Sequence, residues 1–201
     1  VPEDVAKHYP DEHRDPDGMF ASFRATLSPM AYNTNLVKAG EAPKSFVSLL
    51  EPQWAGKIVK AHPSYSGTIM TATFQIARDL GWDYFEKLAK KLGLGERAVM
   101  ADGSEYVVFQ MMDKGQPVAP IYPTEGTPLV IGPNAVFKAA PNPNAARLFQ
   151  SFCFSLECQQ LIVDFGGLRS LHPQVKERAG HIPLKDIKLM KEDAAGVEKQ
   201  A

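Results

Sequence analysis

The sequence predicts an α/β chain whose strands are joined by helical crossovers. Two observations carry that reading. Helical segments of about 10–13 residues alternate with short β-favouring runs, a pattern that builds sheets with helices between strands. Glycine and proline punctuate the junctions between them. With 201 residues, 44% of them hydrophobic and 22% charged, the chain has the composition of a soluble globular protein able to bury a sizeable core or two smaller ones.

The elements follow in order. Pro2, Pro10, Pro16 and Gly18 make the first twenty residues loop-rich, with one short helix expected over Pro2 to His8. In "MFASFRATLSPMAYNTNLV" the positions Phe20, Phe23, Ala25, Leu27, Met30 and Tyr32 predict one or two strands that end at Asn33-Thr34-Asn35. "APKSFVSLLEP" reads as a helix that buries Phe46, Leu49 and Leu50 and stops at Pro52. "GKIVKAHP" is a short strand. The helix after it sets Ile69, Thr73, Ile76 and Leu80 on one face and stops at Gly81, and "WDYFEKLAKKL" is a second helix running to Gly93. "RAVMADGSEYVVFQMMDKG" reads as a strand, a turn at Asp102-Gly103-Ser104, and a helix or strand to Gly115. Two strands broken by Pro123 and by Gly126 to Pro128 come next. A helix capped by Asn142 or Asn144 and a second short helix follow, and "PLKDIKLMKED" is weakly amphipathic.

Charge and motif content exclude several functions. The net charge of −1, from 22 basic and 23 acidic residues, leaves no footprint for nucleic acid or an anionic membrane. No apolar run reaches the ~18 residues of a membrane span, and the polar start carries no signal peptide, as expected of a mature or trimmed form. There is no GxxxxGK[ST] loop and no GxGxxG after a strand; "GLGERA" is a helix stop. "PSYSG" lacks the first glycine of a nucleophile elbow, and His62 lies too near Ser66 along the chain to serve it as a base. His8, His13, His62, His172 and His181 show no metal-ligand spacing. Cys153 and Cys158 can bridge only if the helix breaks near Ser155; otherwise they are two buried, inert thiols.

Two stretches carry candidate chemistry. A strand, a turn, Ser66-Gly67-Thr68 and a helix is the arrangement that presents open amides to an anion, with Gly67 allowing close approach and two hydroxyls alongside. Ser66 acting only as a helix cap explains the same residues. In "DGSEY", Asp102, Ser104, Glu105 and Tyr106 follow a strand, where hard oxygen donors suit a ferric ion; a solvated turn with Tyr106 packed inward is the alternative.

In order along the chain, "MAYNTNLV", "APKSFVSLLEPQWAGKIVKAHPSYSGT", "GWDYFEKLA", "GERAVMADGSEYVVFQMMDKGQPV", "YPTEGTPLV" and "PNPNAARLFQSF" resemble the family 1 extracellular solute-binding proteins of bacterial ABC importers, and within them the ferric-iron periplasmic group. The resemblance runs from about Val1 to Pro173. It implies a type II periplasmic binding protein fold, two α/β lobes joined by hinge strands over a cleft, with one lobe incomplete in this chain. Residues 37–121 would be the ligand-binding lobe, 1–36 and 122–165 the hinge strands and part of the other lobe, and 166–201 a C-terminal tail. "MAYNTN" and "YPTEGTPLV" would be the crossing strands.

The same resemblance implies a monomeric, non-enzymatic, periplasmic or extracellular protein without cofactor that captures a small anionic solute in its cleft and hands it to a membrane permease. Tyr65, Ser66, Gly67, Thr68, Asp102, Ser104, Glu105, Tyr106, Glu125 and Thr127 would be the cleft contacts. Ferric iron with a synergistic anion is the alternative cargo, Glu105 and Tyr106 its ligands. Against that alternative, Glu105-Tyr106-Val107 stands where iron-binding members carry two tyrosines, and the 88–97 connection is shorter than theirs. An enzyme acting on a phosphorylated or carboxylated small molecule is the competing class.

Overall fold

The computed structural model describes residues 7–92 and 97–191 together with Asp193, Gly196 and Lys199, the side chain of Glu12 excepted. The chain forms two compact units, Val1–Thr26 with Ile131–His181 and Leu27–Val130 with Ile182–Ala201. No described helix is long and apolar enough to cross a membrane.

In the second unit four strands lie in the order β3-β4-β2-β5: β2 (Met30–Asn33), β3 (Ile58–Val59), β4 (Val99–Met100) and β5 (Val118–Ile121). β3 and β4 are parallel, with Val59 opposite Met100, while β2 runs antiparallel to β4 and β5. Helix α1 (Gly67–Leu80) follows β3, then come α2 (Trp82–Ala89) and, after β4, α3 (Glu105–Asp113). The buried positions of α1 include Ile69, Ala72, Thr73, Ile76 and Ala77, the helical spacing legible in the sequence. Gly81 ends α1 with φ 81°, a conformation that costs other residues strain. Phe46, Leu49, Trp54, Ile58, Ile76, Tyr84, Leu88 and Val99 form the core with Met30 and Met190, each large apolar side chain contributing about 1.5–3 kcal/mol on burial.

The first unit holds most of β1 (Ala21–Leu27) and β6 (Leu129–Asn134), which form a two-stranded sheet, and helices α4 (Pro143–Cys153) and α5 (Leu156–Asp164) follow. The described apolar cluster is small: Tyr9, Ala21 and Phe154, with Phe23 and Leu171 against them. Tyr9 meets the Phe154 ring edge-on at 5.2 Å and donates from its hydroxyl to the Phe154 carbonyl at 3.1 Å. Gln159 is fully buried; its amide donates to the carbonyls of Phe23 at 3.1 Å and Cys153 at 2.8 Å, and its oxygen accepts from the Ser170 hydroxyl. Helix α4 turns Gln150 and Cys153 inward and leaves Leu148, Phe149 and Phe152 exposed.

Several expectations are corrected. "APKSFVSLLEP" forms only a 3-10 turn, Val47–Leu50, whereas "GKIVKAHP" holds the short strand expected of it, Ile58–Val59. Of the helix or strand left open after β4, the chain forms the helix. Asn142 occupies the cap position of α4, yet its side chain makes no capping bond. In "PLKDIKLMKED" the described residues form a short 3-10 turn, Leu184–Asp186. The start of the Pro2 to His8 helix and the stop at Gly93 lie outside the described residues.

His172 supplies a pH-dependent contribution to the first unit. Its ring is buried, 5.6 Å from both the His8 and Tyr9 rings, and its Nδ1 accepts from the Gln174 amide at 3.2 Å. Burial, and then His8, hold it below the usual 6.5. The unfolded chain therefore binds more protons in the window just below 6.5, so stability falls as pH drops through that window and recovers as pH rises. Urea midpoints measured between about pH 5 and 7.5 should rise with pH, and His172→Gln should flatten the slope.

Candidate functional site

β3 and β4 run parallel, so the loops leading to α1 and α3 leave the sheet at the same, carboxyl edge. Ligands of open α/β sheets bind outside such edges. Ser66 caps α1 with an extended backbone, φ −160°, and its Oγ accepts from the Thr68 amide at 3.2 Å while its carbonyl accepts from Met70 at 2.9 Å. The amides of Gly67 and Ile69 are those left over in the first turn. Nothing lies within 4 Å of where a Cβ on Gly67 would stand, so its face is open. Tyr65 projects beside the cap, 83% exposed, its ring 5.8 Å from that of His62.

Below the two loops sits a buried ion pair. Lys60 donates to Asp102 Oδ2 at 2.8 Å, to Thr73 Oγ1 at 3.1 Å and to the Ala61 carbonyl at 3.2 Å, which uses all three ammonium hydrogens. Its Nζ also lies 5.4 Å from the centre of the Phe85 ring. Asp102 is 1% exposed, and its Oδ1 has no partner among the described residues. Burial pushes the carboxyl above the usual range, and Lys60 acts against that. Tyr84 is pushed up as well, by burial first and then by Asp102 and Glu125.

The ten sequence-predicted residues all fall in the second unit, in three groups. Tyr65, Ser66, Gly67 and Thr68 stand together at the head of α1. Asp102, Ser104, Glu105 and Tyr106 stand around the head of α3. Of these, Ser104 caps by position without a side-chain bond, and Glu105 is buried and accepts from the Tyr122 hydroxyl at 2.5 Å. Tyr106 is half-buried. Glu125 and Thr127 belong to neither head. The Glu125 carboxylate accepts from the Phe46 and Val47 amides at 3.2 and 3.0 Å, which caps the Val47–Leu50 turn. Thr127 is fully buried and pairs its backbone with Lys188 and Met190. Among the described residues no three His, Cys, Asp or Glu side chains gather where a metal could be held.

Lys60, Thr73 and Tyr122 are the partners that sequence reading misses. Thr73 is legible as a residue of the inner face of α1. Nothing in the sequence pairs Lys60 with a carboxylate 42 positions away.

The family model for bacterial extracellular solute-binding proteins matches residues 1–183. The chain belongs to this family. The solute-binding protein also shares its fold with solved periplasmic binding proteins. AfuA from Actinobacillus pleuropneumoniae, with fructose-6-phosphate bound, superposes with a TM-score of 0.79 at 22% identity over 92% of this chain and 66% of that one. Apo ferric ion-binding protein A from Pasteurella haemolytica gives 0.81 at 14% identity over 99% and 71%. Iron-bound HitA from Pseudomonas aeruginosa gives 0.79 at 19% over 98% and 71%. The solute-binding protein thus spans about two thirds of the length of these relatives. No match occurs among curated protein sequences.

Two substitutions separate structural work from ligand contact. Lys60→Met strands a buried carboxylate and should cost about 3–5 kcal/mol in denaturant unfolding, most of it recovered when Asp102→Leu is added. Glu125→Ala removes a cap and should cost about 1–2 kcal/mol with no change in solute affinity by titration calorimetry.

Proposed function

We propose that this chain is the solute-capturing component of a bacterial ABC importer, active in the periplasm or outside the cell and not an enzyme. It holds a small anion at the head of α1 and delivers it to a membrane permease. The observation that carries the reading is the open first turn of α1 at the carboxyl edge of β3 and β4, in a member of a solute-binding family. Gly67 lets an oxyanion reach the backbone, the Gly67 and Ile69 amides donate to it, the Ser66 and Thr68 hydroxyls stand beside them, and the positive end of the helix favours its charge.

A phosphate ester or carboxylate fits this chemistry without a metal, and the fructose-6-phosphate bound to AfuA is a solute of that kind. The heads of α1 and α3 both start from the same sheet edge, so Tyr65, Ser104 and Tyr106 are the nearest candidates for the rest of the solute. Ferric iron, the ligand of HitA, would need carboxylates or phenolates free to coordinate. In this chain Asp102 is engaged by Lys60 and Glu105 by Tyr122, which favours an anion held alone.

Titration calorimetry with inorganic phosphate, fructose-6-phosphate, citrate and ferric ion, with metal analysis of the same samples, tests the proposal. An organic or inorganic anion should bind at one equivalent without metal and be recovered unchanged. Gly67→Val, which fills the open face, should weaken it at least about tenfold, or about 1.4 kcal/mol, while the fold stays intact. Iron at one equivalent would assign the ferric cargo instead. Chemical turnover of the ligand, or equal affinity in Gly67→Val, would overturn the proposal.

A further inference from the structure

Cys153 closes α4 and Cys158 lies in the first turn of α5. In one continuous helix, residues five apart diverge around the axis. Here the helix breaks between them. Ser155 is extended, with φ −67° and ψ 152°, and its Oγ accepts from the Cys158 amide at 3.2 Å. With the helix broken, helical geometry no longer holds the two residues on diverging faces, and both thiols are buried at the junction, near enough for each to shift the other's proton affinity. Two further contacts hold the junction in place. The Gln159 amide donates to the Cys153 carbonyl at 2.8 Å, and Tyr9 donates to the carbonyl of Phe154 between the two helices. In this structure both cysteines are free.

We propose that Cys153 and Cys158 are a disulfide-forming pair, oxidised by a thiol–disulfide oxidant as the chain folds outside the cytosol. One cysteine thiolate attacks the oxidant's disulfide, forms a mixed disulfide and releases one thiol. The second cysteine attacks the first cysteine's sulfur, the Cys153–Cys158 bond forms, and a second thiol leaves. Two electrons and two protons have then passed from the pair to the oxidant. Burial keeps both thiols protonated in the folded chain, which directs the exchange to partly folded states. The location rests on the extracellular role proposed above, since oxidising compartments are where such bonds persist. A covalent link suits this unit in particular. Its largest described apolar cluster is Tyr9, Ala21 and Phe154 with two flanking side chains, and a bond that restricts the unfolded chain adds to what such a cluster supplies.

The test compares one glutathione redox buffer with and without denaturant. Refolded chain and denatured chain are equilibrated in it, quenched by alkylation and read by peptide mass spectrometry. The expected result is a Cys153–Cys158 cross-linked peptide at a higher fraction in the folded sample than in the denatured one. Oxidised protein should also have a higher thermal midpoint than reduced protein, and Cys153→Ser and Cys158→Ser should each abolish the cross-link and the rise. An equal or lower cross-linked fraction in the folded sample, or separate glutathione adducts on the two cysteines, would overturn the proposal. Neither readout involves the solute, so failure here leaves the anion reading standing, and failure of anion binding leaves this one to be judged by itself.

Discussion

The second unit is organised around one buried ion pair. Lys60 leaves β3 and Asp102 leaves β4, and their contact ties the two exits together while Thr73 fastens the same ammonium to α1. Energy alone does not account for such a pair. Removing both charges from water costs several kcal/mol per ion, attraction at short range returns only part of it, and Asp102 Oδ1 has no partner among the described residues. Two apolar side chains of similar volume would hold the layers together at least as well. What they would not do is fix three segments at hydrogen-bond distance, and that is the constraint the helix heads need. An anion site built from backbone amides works only if the first turn stays aimed at one place.

At the head of α1 a helix cap and the proposed anion site share residues. Ser66 does cap the helix, and its bond to Thr68 satisfies one amide of the first turn. That bond does not consume the turn, because the Gly67 and Ile69 amides remain and the Gly67 face is open. Capping and binding are therefore compatible here. Glu125 is the contrasting case: its carboxylate accepts from the Phe46 and Val47 amides and from the Thr124 hydroxyl, a use that orders the loop before β3.

What the sequence revealed and what it hid divide along the range of the interaction. Period and punctuation are local, so α1 with its stop at Gly81, the paired segments around β2, and the junction of α4 with α5 were all legible. The 3-10 turn at Val47–Leu50 was not, because its cap comes from Glu125, 78 or 79 positions away. The site followed the same rule. The cap at Ser66 was readable because it is made within a few residues. The fates of Asp102 and Glu105 depended on Lys60 and Tyr122, which only the folded sheet brings near them.

The first unit follows a different physical logic from the second. Beside its small Tyr9–Ala21–Phe154 cluster it buries polar groups that must be satisfied. Gln159, with no exposed surface, joins β1, the end of α4 and Ser170 through three bonds, and Arg169 pairs backbone to backbone with Ala25. A buried amide in such a position is intolerant: any one lost partner leaves a desolvated group worth about 1–3 kcal/mol. Helix α4 makes the point from the other side, since its inward face carries Gln150 and Cys153 while its phenylalanines face out. Hydrophobic burial explains why the second unit is compact. In the first unit it is joined by hydrogen-bond geometry at one glutamine and one helix break, which ties α4 to α5.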